Sequence, residues 1–196
     1  MSADDFDIYL ASASPRRREL LAQIGIRYRL LRSDIPEIPA AGETAQDFVI
    51  RMALEKAQAG KGYIGADKPK PVLGADTAVV VDNKILGKPQ NKEHGLAMLE
   101  SLSGRTHEVM SAVALVGEKT DIRLNISKVS FRQTSAYERE GYWQTGEPND
   151  KAGAYGIQGI AAIFISGLEG SYSAVMGLPL YETAELLEQA GIKPLR

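Results

Sequence analysis

The run from Val72 to Val81 constrains the fold of this chain more than any other segment. Its letters, VLGADTAVVV, are apolar except at Asp76 and Thr77, which predicts a buried strand with a break near its middle. Burying a lone carboxylate there costs several kcal/mol unless something compensates its charge. Asp76 is therefore expected to hold a metal ion or to act in catalysis. The alternative is that Gly74 marks a bulge and that Asp76 caps a turn or pairs with one arginine.

Helical and strand patterns alternate around this run. Predicted strands cover 8–11, about 28–32, 72–81, 85–86, 108–116 and 121–132, and predicted helices cover 14–24, 44–60, 91–102, 135–144 and 178–190. The segment 153–166 mixes glycine with β-branched residues. The pattern predicts one domain, residues 1–196, with a mixed α/β fold in which helices flank a mixed sheet. Its last two long strands are expected to form an antiparallel ribbon.

Composition narrows the classes of partner. The chain has 23 basic and 25 acidic residues, whereas a general nucleic-acid binder usually carries a basic surplus. It contains no cysteine, which excludes disulfides and thiolate metal sites. No apolar run approaches the roughly 18 residues of a membrane span. The acidic start, 1–7, does not resemble a signal peptide. We therefore expect a cytoplasmic protein that binds a small molecule and neither nucleic acid nor a membrane.

The segment 12–17, SASPRR, lies where a predicted strand meets a helix. Free backbone N–H groups at a helix start favour anions, and hydroxyl and guanidinium groups add donors that suit phosphate oxygens. Ser14 is a good N-cap residue and Pro15 suits the first helical position. The segment predicts an anion site, or equally a capped surface helix with solvated arginines.

Four further residues are weaker candidates. Lys56 interrupts the apolar face of the helix 44–60, so it either borders a pocket or extends its ammonium group to solvent; the second account is favoured near a helix end. Lys88 and Glu37 lie in loops, where solvated charges are usual. Gln158 lies among closely spaced glycines, where its amide either reads a base edge or belongs to a plain tight turn.

Six segments together resemble the motifs of the Maf family of nucleotide pyrophosphatases, in that family's order and spacing. They are LASASPRR (10–17), LGADT (73–77), GKP (87–89), SG (103–104), KAGAYGIQG (151–159) and VMGLP (175–179). The resemblance runs from about Ile8 to Leu187. It implies an α/β fold with two lobes around a central substrate cleft, related to the inosine-triphosphate pyrophosphatases, and frequent homodimers.

The resemblance also implies roles for individual residues. The family's catalytic carboxylate falls on Asp76, and its loop glutamate falls on Glu37; the two would hold Mg²⁺ or Mn²⁺. Pro36 stands where many members have a second acid, so this chain departs from the family at that position. The phosphate-handling positions fall on Ser12, Arg17, Lys56 and Lys88.

Three positions that separate subgroups of this family read Arg16, Thr77 and Gln158 here, the pattern of the dTTP/UTP type. The resemblance thus implies hydrolysis of dTTP and UTP to the monophosphate and pyrophosphate. Two alternatives stay open: a pyrophosphatase for another base, such as 7-methyl-GTP or ITP, and a non-catalytic nucleotide-binding regulator of septum formation. Asp76 weighs against a pure binder, because a carboxylate beside a triphosphate repels it unless a metal intervenes.

Overall fold

The computed structural model describes residues 5–64 and 70–195. These residues form a mixed α/β fold, as predicted. Its strands are β1 (Ile8–Ala11), β2 (Tyr28–Leu31), β3 (Val72–Val81), β4 (Lys84–Leu86), β5 (Thr106–Val116), β6 (Thr120–Phe131) and β7 (Ile165–Glu169). Its α-helices are α1 (Pro15–Gln23), α2 (Ala45–Lys61), α3 (Lys92–Leu102), α4 (Ala136–Gln144), α5 (Tyr172–Met176) and α6 (Leu180–Gln189). Short 3₁₀-helices cover Glu147–Asp150, Ala152–Ala154 and Ile160–Phe164.

The strands form one mixed sheet in the order β2-β1-β3-β5-β6-β7, with β4 paired to β3. β1 runs parallel to both β2 and β3, whereas β4 is antiparallel to β3 and β7 is antiparallel to β6. Residues 117–119 alone link β5 to its neighbour β6. Because so short a link permits only antiparallel pairing, the predicted ribbon is confirmed.

The chain divides into two compact units. The first comprises the described residues of 1–76, 111–125 and 177–196, and the second comprises 77–110 and 126–176. Strands β3, β5 and β6 contribute residues to both units. The single domain 1–196 and its central cleft stay predictions.

In the first unit, α2 lies unusually close to the start of β3. A Cβ atom added to Gly74 would lie 2.3 Å from the carbonyl oxygen of Ala53 and 2.6 Å from the amide nitrogen of Ala57. The strand is continuous from Val72 to Val81, so the predicted break is wrong. Gly74 is required because a neighbouring helix backbone leaves no room for a side chain, which sequence alone does not distinguish from a bulge.

In the second unit, aromatic rings and one histidine fill the core. His107, Phe131 and Tyr155 make edge-to-face contacts with ring centroids 4.9–5.4 Å apart. His107 Nε2 lies 2.8 Å from the Tyr155 hydroxyl, and burial lowers the pKa of His107 to about 4. The imidazole is therefore neutral in this core, to which α3 and the strands β3, β5 and β6 contribute apolar side chains.

The starts of α1 to α4 agree with the sequence patterns, but the cap of α1 lacks a side-chain hydrogen bond. Thr44 accepts the Asp47 amide at the start of α2, and Ser135 and Glu138 form a full capping box on α4. At α1 the Ser14 side chain makes no cap hydrogen bond; its amide instead donates to Ser12 Oγ at 3.2 Å. Among the described residues, none of the helices combines the length and apolar character that crossing a membrane requires.

Replacing Gly74 with alanine tests the close approach of α2. The added methyl group would overlap the backbone of α2, so Gly74→Ala should lower the free energy of unfolding by roughly 1–3 kcal/mol or more. Urea unfolding followed by circular dichroism measures this. Gly141→Ala in α4 is the control, because no atom lies within 4 Å of its added Cβ. It should be neutral or stabilise by up to about 1 kcal/mol. A similar response of both variants would contradict the close contact.

Candidate active site

Asp76 lies in the middle of β3, where it is 6 % exposed, and its charge is compensated by a lysine of α2. Lys56 Nζ donates to Asp76 Oδ1 at 2.7 Å and lies 2.5 Å from Glu37 Oε1. Glu37 approaches from the loop before α2 and is half exposed, whereas Lys56 and Asp76 are buried. One ammonium group therefore joins two carboxylates at the edge of the core of the first unit.

The position of Lys56 follows from the apolar face of α2. Met52 and Phe48 lie on that face one and two turns before Lys56, and all three are buried. The expectation that Lys56 extends to solvent is wrong, since its residue is only 6 % exposed. Close packing of α2 at Gly74 leaves the ammonium group opposite Asp76, where an ion pair replaces the lost hydration.

Arg17 and Ser12 form the second part of the cluster. Arg17 is only 9 % exposed; its Nε donates to the carbonyl of Gly177 at 2.7 Å and its Nη1 donates to Ser12 Oγ at 3.2 Å. The Ser12 hydroxyl also accepts the Ser14 amide, so it joins the end of β1 to the start of α1. Arg17 is thus held within the structure, and the alternative of solvated arginines at 12–17 is wrong for this residue.

The pKa values report how these charges act on one another. Burial raises the pKa of Asp76; Lys56 and Arg17 lower it, and Glu37 raises it. Burial lowers the pKa of Arg17, while Asp76 and Glu37 raise it. A carboxylate with a raised pKa is a stronger base than an exposed one, and two adjacent cations still favour its ionised form. The cluster can thus accept a proton at Asp76 and can neutralise negative charge on a ligand.

The remaining candidates are Arg16, Thr77, Lys88 and Gln158, and Arg16 is near enough to Arg17 to lower the pKa of its guanidinium. Arg16 is half-buried on α1 in the first unit. Thr77 is half-buried on β3, Lys88 is exposed after β4, and Gln158 is exposed before the last 3₁₀-helix; these three belong to the second unit. Their predicted roles in binding phosphate and base stay predictions.

The carboxylates of the cluster are too few to surround a metal ion with protein ligands alone, but they can provide part of its coordination. The described residues contain no group of three or more His, Asp or Glu side chains placed to hold a metal ion. Asp76 Oδ1 and Glu37 Oε1 nevertheless converge on a single point, the Lys56 nitrogen, within 2.7 Å. Mg²⁺ is commonly bound by one or two carboxylates together with substrate phosphates and water. Asp76 and Glu37 could therefore supply two carboxylate ligands to a divalent cation.

Gly177 is a site residue whose role the sequence reading missed. Its carbonyl holds the Arg17 guanidinium, and its φ of +125° is a conformation that favours glycine. The signal that marks it is a glycine immediately before Leu178 and Pro179, at the start of a helix. The sequence does not show that this carbonyl lies beside α1, because 160 residues separate the donor from the acceptor.

Comparisons with known proteins agree with the motifs in the sequence. The family model described as "Maf-like protein" matches residues 7–190. A protein of Alkalilimnicola ehrlichii named dTTP/UTP pyrophosphatase is 55 % identical over 185 residues, which cover 93 % of this chain and 92 % of that protein. Proteins of the same name are 52 % identical in Saccharophagus degradans, over 93 % of this chain and 88 % of the relative, and 49 % identical in Methylococcus capsulatus, over 100 % and 96 %.

Solved structures give weaker similarities. A nucleoside-triphosphatase, dITP/XTP pyrophosphatase, of Mycobacterium abscessus matches with a TM-score of 0.41 and 18 % identity over 94 % of both chains. The Ham1 protein of Staphylococcus aureus matches with a TM-score of 0.41 and 14 % identity, over 63 % of this chain and 71 % of that one.

Replacing Lys56 with methionine tests the buried ion pair. Methionine keeps most of the apolar stem but leaves Asp76 without its nearest cation, so Lys56→Met should lower the free energy of unfolding by roughly 3 kcal/mol. Urea unfolding at neutral pH measures the loss. The control Lys92→Met removes a half-exposed surface pair with Glu140 and should change stability by less than about 1 kcal/mol. The double variant Lys56→Met/Asp76→Asn should recover part of the loss; no recovery would contradict the pairing.

Proposed function

The chain belongs to the Maf family, and from that premise we propose that it hydrolyses dTTP and UTP to the corresponding monophosphate and pyrophosphate. Three relatives named dTTP/UTP pyrophosphatase are about 50 % identical to this chain over nearly their full length. Their names support both the reaction and the pyrimidine substrates.

The observation that carries the proposal is the buried carboxylate of Asp76 beside two cations. Lys56 donates to Asp76 Oδ1 at 2.7 Å, and Arg17 is close enough to lower the pKa of Asp76. A protein that only binds a nucleotide gains nothing from burying a carboxylate next to a triphosphate. A hydrolase needs a base for water next to groups that neutralise phosphate charge, and this cluster supplies both.

In the proposed reaction, a water molecule attacks the α-phosphorus in line with the bond that breaks. Asp76 orients this water and accepts its proton, which then passes to solvent. The new P–O bond gives the monophosphate, and cleavage of the bond between the α-phosphorus and the bridging oxygen releases pyrophosphate. Arg17, Lys56 and Lys88 compensate the charge on the phosphate oxygens, and the Ser12 hydroxyl donates to one of them. The contribution of these residues is positioning and electrostatics.

A divalent cation is part of this proposal. Asp76 and Glu37 would hold Mg²⁺ or Mn²⁺, and the cation would supply charge neutralisation on the phosphates. Lys56 lies between the two carboxylates, so its ammonium group holds them close together.

We assign base preference to Arg16, Thr77 and Gln158. A thymine or uracil edge presents an N–H donor between carbonyl acceptors, and the amide of Gln158 offers both an acceptor and a donor. Thr77 directly follows Asp76 in the chain, which supports a place near the substrate.

We further propose a homodimer in the cytoplasm; the family resemblance supports the dimer, and the cysteine-free composition is compatible with the compartment.

Assay of the purified protein with a nucleotide panel tests this function. With Mg²⁺ or Mn²⁺ present, dTTP and UTP should give monophosphate and pyrophosphate, and EDTA should abolish the release. Asp76→Asn keeps the shape of the side chain but removes its charge and basicity, so turnover should fall about 10²–10⁴-fold or more. Lys92→Met, at the surface, should retain the parent rate. Orthophosphate as first product, or an active Asp76→Asn variant, would refute the mechanism.

Substitution of the specificity residues tests base preference. Gln158→Glu places a carboxylate against the carbonyl oxygens of a pyrimidine, a mismatch of roughly 1–3 kcal/mol, or about ten- to a hundredfold and more in kcat/KM. Adding Thr77→Gln and Arg16→Trp should shift preference towards 7-methyl-GTP. The measured quantity is the ratio of kcat/KM for dTTP to that for 7-methyl-GTP. An unchanged ratio in the triple variant would show that these residues do not select the base.

A further inference from the structure

The short segment 156–160 carries Gln158 at an exposed position between two glycines. An exposed side chain can select a base only if the backbone beneath it has a fixed position, because each rotatable bond weakens discrimination. Residues 156–159 lie between two 3₁₀-helices and Ile160 begins the second, so the segment belongs to neither a strand nor an α-helix. Something other than a ladder of backbone hydrogen bonds must therefore contribute to its position.

Glu147 supplies that restraint at one end of the segment. Its Oε2 accepts the backbone N–H of Ile160 at 2.8 Å. Its Oε1 accepts the hydroxyl of Tyr142 at 2.7 Å, and the same hydroxyl oxygen accepts the backbone N–H of Gly156 at 3.3 Å. A carboxylate and a phenol thus connect both ends of the segment to α4 and the 3₁₀-helix that follows it.

The two glycines are explained by this arrangement. A Cβ atom added to Gly159 would lie 2.3–2.4 Å from the Glu147 carboxylate, and one added to Gly156 would lie 2.8 Å from the Lys151 side chain. Lys151 Nζ in turn donates to the Glu147 carbonyl at 2.6 Å, which restrains the backbone that carries the carboxylate. A side chain at position 159 would displace the Glu147 carboxylate from its present place, and glycine avoids this.

The Tyr142 hydroxyl is a dependable donor in this network. Tyr142 is 3 % exposed, and burial, followed by its hydrogen bond to Glu147, raises the pKa of its hydroxyl. The phenol therefore stays protonated near neutral pH and donates to Glu147 while accepting from Gly156. No direct contact of Glu147 with a substrate is needed for this role.

We propose that Glu147 is a positioning residue for base selection: it fixes the segment 156–160, and thereby Gln158, through its bonds to Ile160 and Tyr142. This inference rests on the proposed function, since it takes Gln158 to be the residue that reads the base. A purely structural Glu147 would affect stability, or the rate on every substrate equally. A positioning Glu147 affects the ratio between substrates, and it does so only while Gln158 is present.

The experiment combines amide hydrogen exchange with kinetics on the full chain. Glu147→Ala removes both acceptors, and Glu147→Gln is a milder variant because its single acceptor oxygen satisfies only one of two donors. Tyr142→Phe removes the bridge to Gly156, and Tyr137→Phe, on the same helix but 87 % exposed, is its matched control. Exchange is followed at the amides of Gly156 and Ile160. The kinetic quantity is the kcat/KM ratio of dTTP to 7-methyl-GTP.

Loss of the restraint should raise exchange at the Ile160 amide about tenfold in Glu147→Ala, and at the Gly156 amide in Tyr142→Phe. The substrate ratio should fall by roughly tenfold in Glu147→Ala. In Glu147→Ala/Gln158→Ala the ratio should stay within about twofold of that of Gln158→Ala alone, since the effects of coupled residues do not add. Glu147→Gln should lie between Glu147→Ala and the parent, and Tyr137→Phe should match the parent.

Unchanged exchange at both amides would overturn the inference, as would a Glu147→Ala effect of the same size with and without Gln158. Failure of the proposed function has a different signature. If Gln158→Ala leaves the ratio unchanged, or dTTP is not hydrolysed, the base-reading assignment is overturned, while raised exchange still supports the restraint by Glu147. Should Glu147→Ala fail to fold, the exchange and ratio of Glu147→Gln and Tyr142→Phe decide the question.

Discussion

The ion pair between Lys56 and Asp76 sets the conditions for the rest of the first unit. A carboxylate in the middle of a buried strand loses most of its hydration, and the fold retains it because an ammonium group lies 2.7 Å away. That distance requires α2 to lie against β3. The approach is close enough that position 74 has no room for a side chain. The three residues therefore depend on one another: Gly74 permits the close approach of α2, and that approach lets Lys56 compensate the charge of Asp76.

In the second unit the exposed candidate Gln158 lies on irregular backbone, so its position depends on side-chain hydrogen bonds. Glu147 accepts hydrogen bonds from the Tyr142 hydroxyl and the Ile160 amide. These bonds restrain the backbone where no strand pairing does so. Its carboxylate occupies the space next to Gly159, so the glycine and the acid depend on each other. The core of this unit is apolar and aromatic, with a neutral His107 among the rings, and its described residues include no buried Asp, Glu, Lys or Arg.

The sequence predicted the longer elements because their signals are local. Helix α2 begins after Thr44 as expected, and the predicted strand 85–86 is found as β4, which follows β3 through Asp82 and Asn83, both with positive φ. The strand β7 and the helix α5 were missed; each has five residues, too few for a period to appear. Asp76 was recognisable as a charge within an apolar run. Its partner was not, because the pairing depends on how α2 aligns with β3, which no local pattern encodes.

The charges around Asp76 have a consequence for how fast a ligand arrives. Arg17 and Lys56 carry two positive charges, and Asp76 and Glu37 carry two negative ones, so this cluster has no net charge when its carboxylates are ionised. Electrostatic steering needs an excess of one sign over the distance from which a ligand is drawn in. The cluster therefore does little to accelerate diffusional encounter with a polyanion, and its contribution to the association rate should be nearly independent of ionic strength. The cluster attracts a polyanion only at contact distance, where the ligand lies nearer to an individual cation than to the carboxylate with which that cation pairs.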